Sequence, residues 1–402
     1  MRADTRGGTF LGLLVVLSML GPLTLNILVP SLPGMVQSLN STKETVQLTL
    51  SLYLLGMAVS QLILGPLADR FGRRPVVMVA LVIYTIASIA AFAAPNVELL
   101  IIARLCQSFG ATAGLTLGRA MIRDLYDENK SASMIGYVTM AMVVAPMIAP
   151  TLGAFIDSHF GWRAILLFCA MLGVPSFLIA ALALPETRPV TLIAASAKEV
   201  MTRSLGLVRN PRFMAYWGAS AFCSGIFFAF LGSAPYLMID VLGQDKRAYG
   251  FWFMSLSLGY MVGNFISGRM VRKLGTDTLI YWGNIAGLLG AVLILLVAGF
   301  GALSPLALFL PAMITSFGNG LVLPNAIASA IGVDPKAGGA GSGLMGFGQM
   351  GVGALMSYLA GHTTTTSAMP LAEIMLVCAV LSLASGWLSR KPNPQHHEPD
   401  KA

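Results

Sequence analysis

The sequence predicts an all-α membrane protein of twelve transmembrane helices, arranged as two pseudo-symmetric six-helix bundles. Three observations predict it. The 402 residues are 56% hydrophobic and only 10% charged, whereas a soluble globular chain carries about 25% charged residues. Apolar runs long enough to cross a bilayer follow one another along the chain. The two halves also echo each other: at an offset of 203 residues Gly65 and Gly72 meet Gly268 and Gly275, Gly56 meets Gly259, and Gln61 meets Asn264. Two equivalent halves in a membrane suggest a transporter.

A helix needs about 20 mostly apolar residues to cross the hydrocarbon core. The candidate spans are Phe10–Pro30, Val46–Ala68, Pro75–Ala94, Val97–Met121, Ser133–Ile156, Trp162–Leu184, Phe213–Leu237, Tyr249–Met270, Thr278–Phe300, Ser304–Ser329, Ala337–Gly361 and Met369–Ser389. Backbone polar groups must satisfy one another in lipid, so runs of this length read as helices. Met1 to Gly8 followed by an apolar run has the outline of a signal peptide. No small-residue cleavage site follows cleanly and equivalent runs recur, so the run reads as the first span.

The longest polar interval, Pro185 to Arg212, separates spans six and seven. The expected organisation is an N-terminal bundle over residues 1–187, a cytoplasmic linker over 188–211, a C-terminal bundle over 212–391 and a polar cytoplasmic tail over 392–402. Within the linker, Leu192–Val208 fits either an amphipathic helix on the membrane surface or an ordinary solvated segment. The tail reads as disordered, and its His396-His397 pair is a weak metal signal.

The net charge of +8 is dispersed over short loops, which argues for orientation rather than nucleic-acid binding. With the N-terminus inside, 20 Lys and Arg residues fall in cytoplasmic segments and only Lys43, Arg163, Lys246 and Arg247 outside. Both termini are therefore expected in the cytoplasm. Cys106, Cys169, Cys223 and Cys378 sit far apart in apolar stretches and read as small buried hydrophobes, with no disulfide, metal or cofactor implied. Gly341-Ser-Gly343-Leu-Met-Gly346 fits a dinucleotide fingerprint literally, but no strand precedes it and helix packing explains it. No HExxH, GxSxG or phosphate loop appears, so no enzyme is expected.

The densest charge cluster, Gly65-Pro66-Leu67-Ala68-Asp69-Arg70-Phe71-Gly72-Arg73-Arg74, resembles the loop between spans two and three of the major facilitator superfamily. Arg104-Leu-Cys-Gln107-Ser-Phe-Gly110 resembles the span-four motif of its drug:proton antiporters. Gly118-Arg119-Ala-Met-Ile-Arg123-Asp124-Leu-Tyr126, Leu184-Pro185-Glu186-Thr187 and Leu344-Met-Gly346-Phe-Gly-Gln349-Met resemble the bicyclomycin and chloramphenicol resistance branch. The resemblance implies a monomeric transporter of the bacterial inner membrane that exports small drug-like molecules, with protons as coupling ion and alternating access as mechanism. A metabolite exporter or importer on the same fold is the alternative, and a non-transporting receptor or scaffold a minor one.

In the loop, the resemblance puts Asp69 near the start of span eleven, where a carboxylate meets the positive end of a helix dipole. Arg73 or Arg74 is expected to pair with Asp124, and Asp69, Arg70, Arg73, Arg74 and Asp124 together to latch the halves when the protein opens outward. A purely topological role for these charges is the plain alternative. Arg104 lies inside span four, where a charge costs about 2.5–3.5 kcal/mol even on insertion scales; snorkelling to the outer end is the alternative to a cavity role. By resemblance Arg104 takes part in proton coupling, and Asp124 is the other candidate.

The chain departs from its relatives in span one. Their stretch resembles Pro-Leu-x-x-Asp-x-Tyr-Leu-Pro, whereas this chain reads Pro22-Leu23-Thr24-Leu25-Asn26-Ile27-Leu28-Val29-Pro30. Asn26 exchanges no proton, so the expected carrier is missing. In span five, Ala145-Pro146-Met-Ile-Ala149-Pro150-Thr-Leu-Gly153-Ala154 keeps both prolines but has Ala149 where glycine is usual. Candidates to line a substrate site are Asn26, Tyr53, Arg104, Gln107, Phe227, Asn319 and Gln349; Tyr53 and Phe227 fit helix packing as well as a cavity.

Overall fold

The computed structural model describes residues 2–126, 128–188, 197–334, 337–364 and 367–390, and its regular elements there are all helical. The expected tail and residues 189–196 of the linker lie outside these. In chain order the helices are α1 (Arg2–Ile27), α2 (Leu32–Ser38), α3 (Lys43–Phe71), α4 (Arg73–Phe92), α5 (Val97–Leu125), α6 (Glu128–Phe160), α7 (Trp162–Ala183), α8 (Ala197–Arg209), α9 (Pro211–Tyr236), α10 (Lys246–Leu274), α11 (Thr276–Gly299), α12 (Pro305–Val333), α13 (Gly338–Thr363) and α14 (Met369–Leu388). Apart from the short α2 and α8, these are the twelve expected spans.

Several helices outrun their apolar segments, because hydrogen bonding rather than side-chain polarity decides where a helix stops. Thr42, Asn96, Asp245 and Ser304 each accept a backbone N–H at the start of α3, α5, α10 and α12, and these caps lie at or up to four residues before the starts of the apolar runs. The first span ends earlier than expected, at Ile27. A single 3-10 turn, Val29–Ser31, then leads into α2, with Pro30 and Pro33 in first-turn positions that need no N–H donor. After α9 a π-helical turn, Leu237–Val241, extends that helix. In the linker, α8 gives a helix to residues 197–208 of the stretch for which either reading stood open.

Gly72 and Gly275, the repeat-related glycines, both sit at positive φ, +100° and +77°, and end α3 and α10. Only glycine adopts that conformation without strain, so the echo seen in sequence is a repeated turn. The end of the molecule that holds these turns and α8 is the linker end; the other is the far end.

Helices α1, α3, α4, α5, α6 and α7 pack as one bundle and α9 to α14 as the other, and the two meet mainly along α3 with α13 and α6 with α10. Among the described residues, nine helical stretches are long and apolar enough to cross a membrane by length and composition alone. Of the other long helices, α10 and α13 lie on the seam, where protein rather than lipid is the neighbour and more polar or smaller residues are tolerated. Close approach needs small residues: a Cβ at Gly153 of α6 would stand 1.8 Å from the Ile27 carbonyl oxygen. Large apolar side chains such as Ile86, Ile102, Leu182 and Phe300 point outward, as lipid-facing positions do.

Candidate functional site

Arg104, 1% exposed, is the largest fully buried side chain among the described residues. It belongs to α5, whose inward stripe also carries Gln107, Ser108 and Thr112. Among the described residues, the groups that meet its guanidinium are neutral. Nη1 donates to Gln107 Oε1 at 2.7 Å and to the Thr24 carbonyl at 3.3 Å. The Tyr53 ring of α3 lies beneath it, 4.1 Å from guanidinium carbon to ring centroid. A desolvated cation over an aromatic face gains about 2 kcal/mol, which offsets part of the burial cost.

These partners are themselves held. Gln107 Nε2 donates to Ser88 Oγ at 2.8 Å, and Ser88 Oγ donates to the Tyr84 carbonyl at 2.6 Å. The Tyr84 hydroxyl bonds Thr24 Oγ1 at 2.8 Å, which closes a ring of contacts through α1, α4 and α5. Arg104 Nε remains without a partner. Snorkelling is thereby corrected: the head group stays in the interior because α1, α3 and α5 supply its ligands and α4 braces them.

Asn26, one turn from Pro22 on α1, donates from Nδ2 to the Pro22 carbonyl at 2.8 Å, and its Oδ1 is buried without a partner. Of the candidates, Tyr53, Arg104 and Gln107 are thus brought together, and no bond joins Asn26 to them among the described residues. In the second bundle, Asn319 accepts from Cys223 Sγ at 2.5 Å and Gln349 Nε2 is buried and unpartnered. Phe227 meets Phe228 and Phe253 edge to face, with centroids 5.3 and 6.2 Å apart, inside an aromatic cluster that also holds Tyr249, Phe309 and Phe230. Thr24, Tyr84 and Ser88 escape sequence reading, since isolated hydroxyls are common in apolar helices.

At the linker end, Arg73 bridges two carboxylates. Its Nη1 is 2.7 Å from Asp69 and its Nε 3.2 Å from Asp124, which also accepts from Thr187 Oγ1 at 3.3 Å. Arg73, not Arg74, is the partner of Asp124; Arg74 donates instead to the Ala181 carbonyl. Asp69 spends its bond within its own bundle, and no bond links it to the start of α13 among the described residues. Arg70 lies against the Phe71 ring, and its carbonyl accepts from Arg188.

Glu186 is the residue missed here. Its carboxylate accepts the backbone N–H groups of Arg73 at 2.9 Å and Arg74 at 3.2 Å, the first two of α4, and those of Thr187 and Arg188. Gly72 has no side chain to cap α4, so Glu186 does it from beyond the last helix of the bundle. Burial works against its charge, but the four N–H bonds outweigh it and hold the carboxyl below its usual range.

Residues 14–358 match the Major Facilitator Superfamily, and the chain belongs to that family. Among relatives, it is 30% identical to multidrug resistance protein D of Escherichia coli, over 94% of this chain and 97% of that protein. It is 26% identical to a bicyclomycin resistance protein homolog of Haemophilus influenzae, over 96% of each. In fold it is similar to a bacterial homolog of the human lysosomal transporter Spinster, solved in an inward-facing and occupied conformation. That likeness has a TM-score of 0.72 at 15% identity and covers 94% of this chain and 95% of that one.

Proposed function

We propose that this protein exports small, amphipathic, drug-like molecules across the bacterial inner membrane, by proton antiport through alternating access. The observation that carries the reading is the Arg104 guanidinium, buried mid-bundle on neutral ligands: a fixed charge with donor capacity to spare in the interior of a two-bundle transporter fold. The resistance names of two relatives, matched along nearly the whole chain, support a drug as cargo. The sequence assigns 20 basic residues to the segments on the side of the linker and four to those on the other side, so the linker end faces the cytoplasm and both termini lie there.

The bundles 1–187 and 212–391 rock against each other, and Asp69, Arg73 and Asp124 stiffen the cytoplasmic turn of the first, beside Arg70 and Arg74. The protein works as a monomer. Asn26 leaves the cavity without an acid, which favours neutral or weakly anionic cargo such as phenicols over dications. If a neutral drug leaves while one proton enters, the membrane potential supplies about 2.3 kcal/mol per 100 mV, enough for a gradient of about fifty-fold. Arg104 and Asp124 are the candidate coupling residues.

Proteoliposomes with a trapped pH dye, challenged with neutral and cationic drugs, test this. Drug-dependent proton flux abolished by Arg104→Ala supports antiport. Drug movement without proton flux would mean that the protein is uncoupled, and no drug movement in any charge class would remove the export reading.

A further inference from the structure

Helices α3 and α10 are built alike. Each is 29 residues long, begins with a lysine preceded by a side-chain cap (Thr42 or Asp245) and ends on a positive-φ glycine. The two lysines, Lys43 and Lys246, stand 203 residues apart, the offset of the repeat. Each reaches across the seam at the far end. Lys246 Nζ donates to Asp157 Oδ2 of α6 at 2.6 Å. Lys43 Nζ donates to the Thr364 carbonyl at the end of α13 and lies 4.2 Å from the centroid of the Tyr236 ring. Each lysine therefore starts the second long helix of its own bundle and ends on the fifth of the other.

One turn deeper the pattern recurs. Gln47 donates to the Ser357 carbonyl and hydroxyl at 3.0 and 3.1 Å, and Thr151 donates to the carbonyl of Gly250, the repeat partner of Gln47, at 3.0 Å. Beside Lys246, Arg247 bonds Ser158 at 3.2 Å. At the linker end the seam is different. There Gln61 lies against Gly343 and Gly346 of α13, and the Asp69, Arg73 and Asp124 charges stay within one bundle. Among the described residues, the ion pair that joins the bundles sits at the far end.

On the exporter reading above, we infer that Lys43 and Lys246 are a reciprocal latch that closes the external end of the substrate path. Opening to the outside must withdraw both lysines, whereas opening to the cytoplasm disturbs neither. Lysine suits such a latch because it carries a compact charge on a flexible stem that swings into water as the bundles part. Lys246 keeps a side chain 30% exposed while Asp157 is 4% exposed, so release leaves the lysine solvated at once and the carboxylate newly uncovered. The two arms differ in strength. Lys246 ends on a charge, Lys43 on a helix C-terminal carbonyl and an aromatic face, so the Lys246 arm is the stronger.

A cysteine at Ser31 reports on the seam. Ser31 is 0% exposed with an unpartnered hydroxyl, and its turn packs against α9 and α10 of the other bundle. In intact cells, labelling of Ser31→Cys by a membrane-impermeant maleimide is measured in excess of the parent without it. Lys246→Gln and Asp157→Asn should each raise the rate about tenfold, and Lys43→Gln by less. Lys246→Arg and the exchanged pair Lys246→Asp with Asp157→Lys should bring it back. Unchanged labelling in both lysine variants overturns the latch, as does failure of the exchanged pair to restore it. The labelling needs no drug, so it judges the latch even if proteoliposomes show that the wild type moves none.

Discussion

Arg104 donates to Gln107 Oε1 at 2.7 Å, and both residues belong to α5, three positions apart. The pair is the firmest hold on the buried charge, since the Thr24 carbonyl is more distant. Gln107→Leu roughly keeps the volume, removes the acceptor and leaves Ser88 Oγ without its donor. It should cost about 1.5–3 kcal/mol, the scale of a charge-assisted bond. The drop in the melting midpoint of the purified protein, compared with Ser88→Ala, measures it. A Gln107→Leu midpoint equal to wild type would mean that Arg104 finds another acceptor.

Tyr53 should matter for its ring and not its hydroxyl. The hydroxyl makes a 3.4 Å contact to the Gly21 carbonyl, long for a bond of this type, while the ring faces the guanidinium. Tyr53→Phe should transport and melt nearly as wild type does. Tyr53→Leu should lose about 2 kcal/mol of cation–π stabilisation and most drug-dependent flux. Equal behaviour of the two variants would reject the ring as the partner of Arg104.

The fold was legible because membrane physics fixes both span length and backbone bonding, so twelve apolar runs translate directly into twelve helices. Arg104 was legible because a charge stands out in an apolar run, and its neighbours Tyr53 and Gln107 followed from polarity within apolar spans. Other parts were not. Glu186 lies 113 residues from Arg73, and only packing discloses that it caps α4. Lys43 and Lys246 fit the repeat offset, yet their reach across the seam depends on how the bundles dock. The ring contacts of Phe227 with Phe228 and Phe253 were likewise not legible, because they depend on how α9 and α10 pack. Asp69 was legible as a motif charge, whereas its ion pair with Arg73, one turn away across the Gly72 turn, is disclosed only by the fold.

Asn26 stands where close relatives are expected to carry an acid, and its Oδ1 already lies buried without a donor. Asn26→Asp keeps the shape and supplies a group that exchanges protons. Residue 26 shares α1 with Thr24, whose carbonyl accepts from Arg104, and its side chain makes none of the bonds of the Gln107 network. Drug-dependent proton flux in proteoliposomes should rise, or the substrate range widen toward cations. No change in either would show that this position is not the equivalent of the relatives' acid.

Glu186 ties stability to pH with a defined sign. Its carboxyl is held below the ordinary value of 4.5 in the folded protein, so the folded state favours the charged form more than the unfolded chain does. The stabilisation is complete above about pH 4.5 and is lost as pH falls through the lower folded value. Glu186→Gln removes the charge at the start of α4 and should cost about 1 kcal/mol near neutrality. The gap between wild-type and variant melting midpoints should stay constant from pH 8 to about 5 and close below about 4.5. Arg73→Ala, which breaks the bridge between Asp69 and Asp124 but leaves its own N–H on Glu186, should keep that closing gap when Glu186→Gln is added. A gap independent of pH would mean that Glu186 acts through shape and hydrogen bonding alone, with no part for its charge at the helix start.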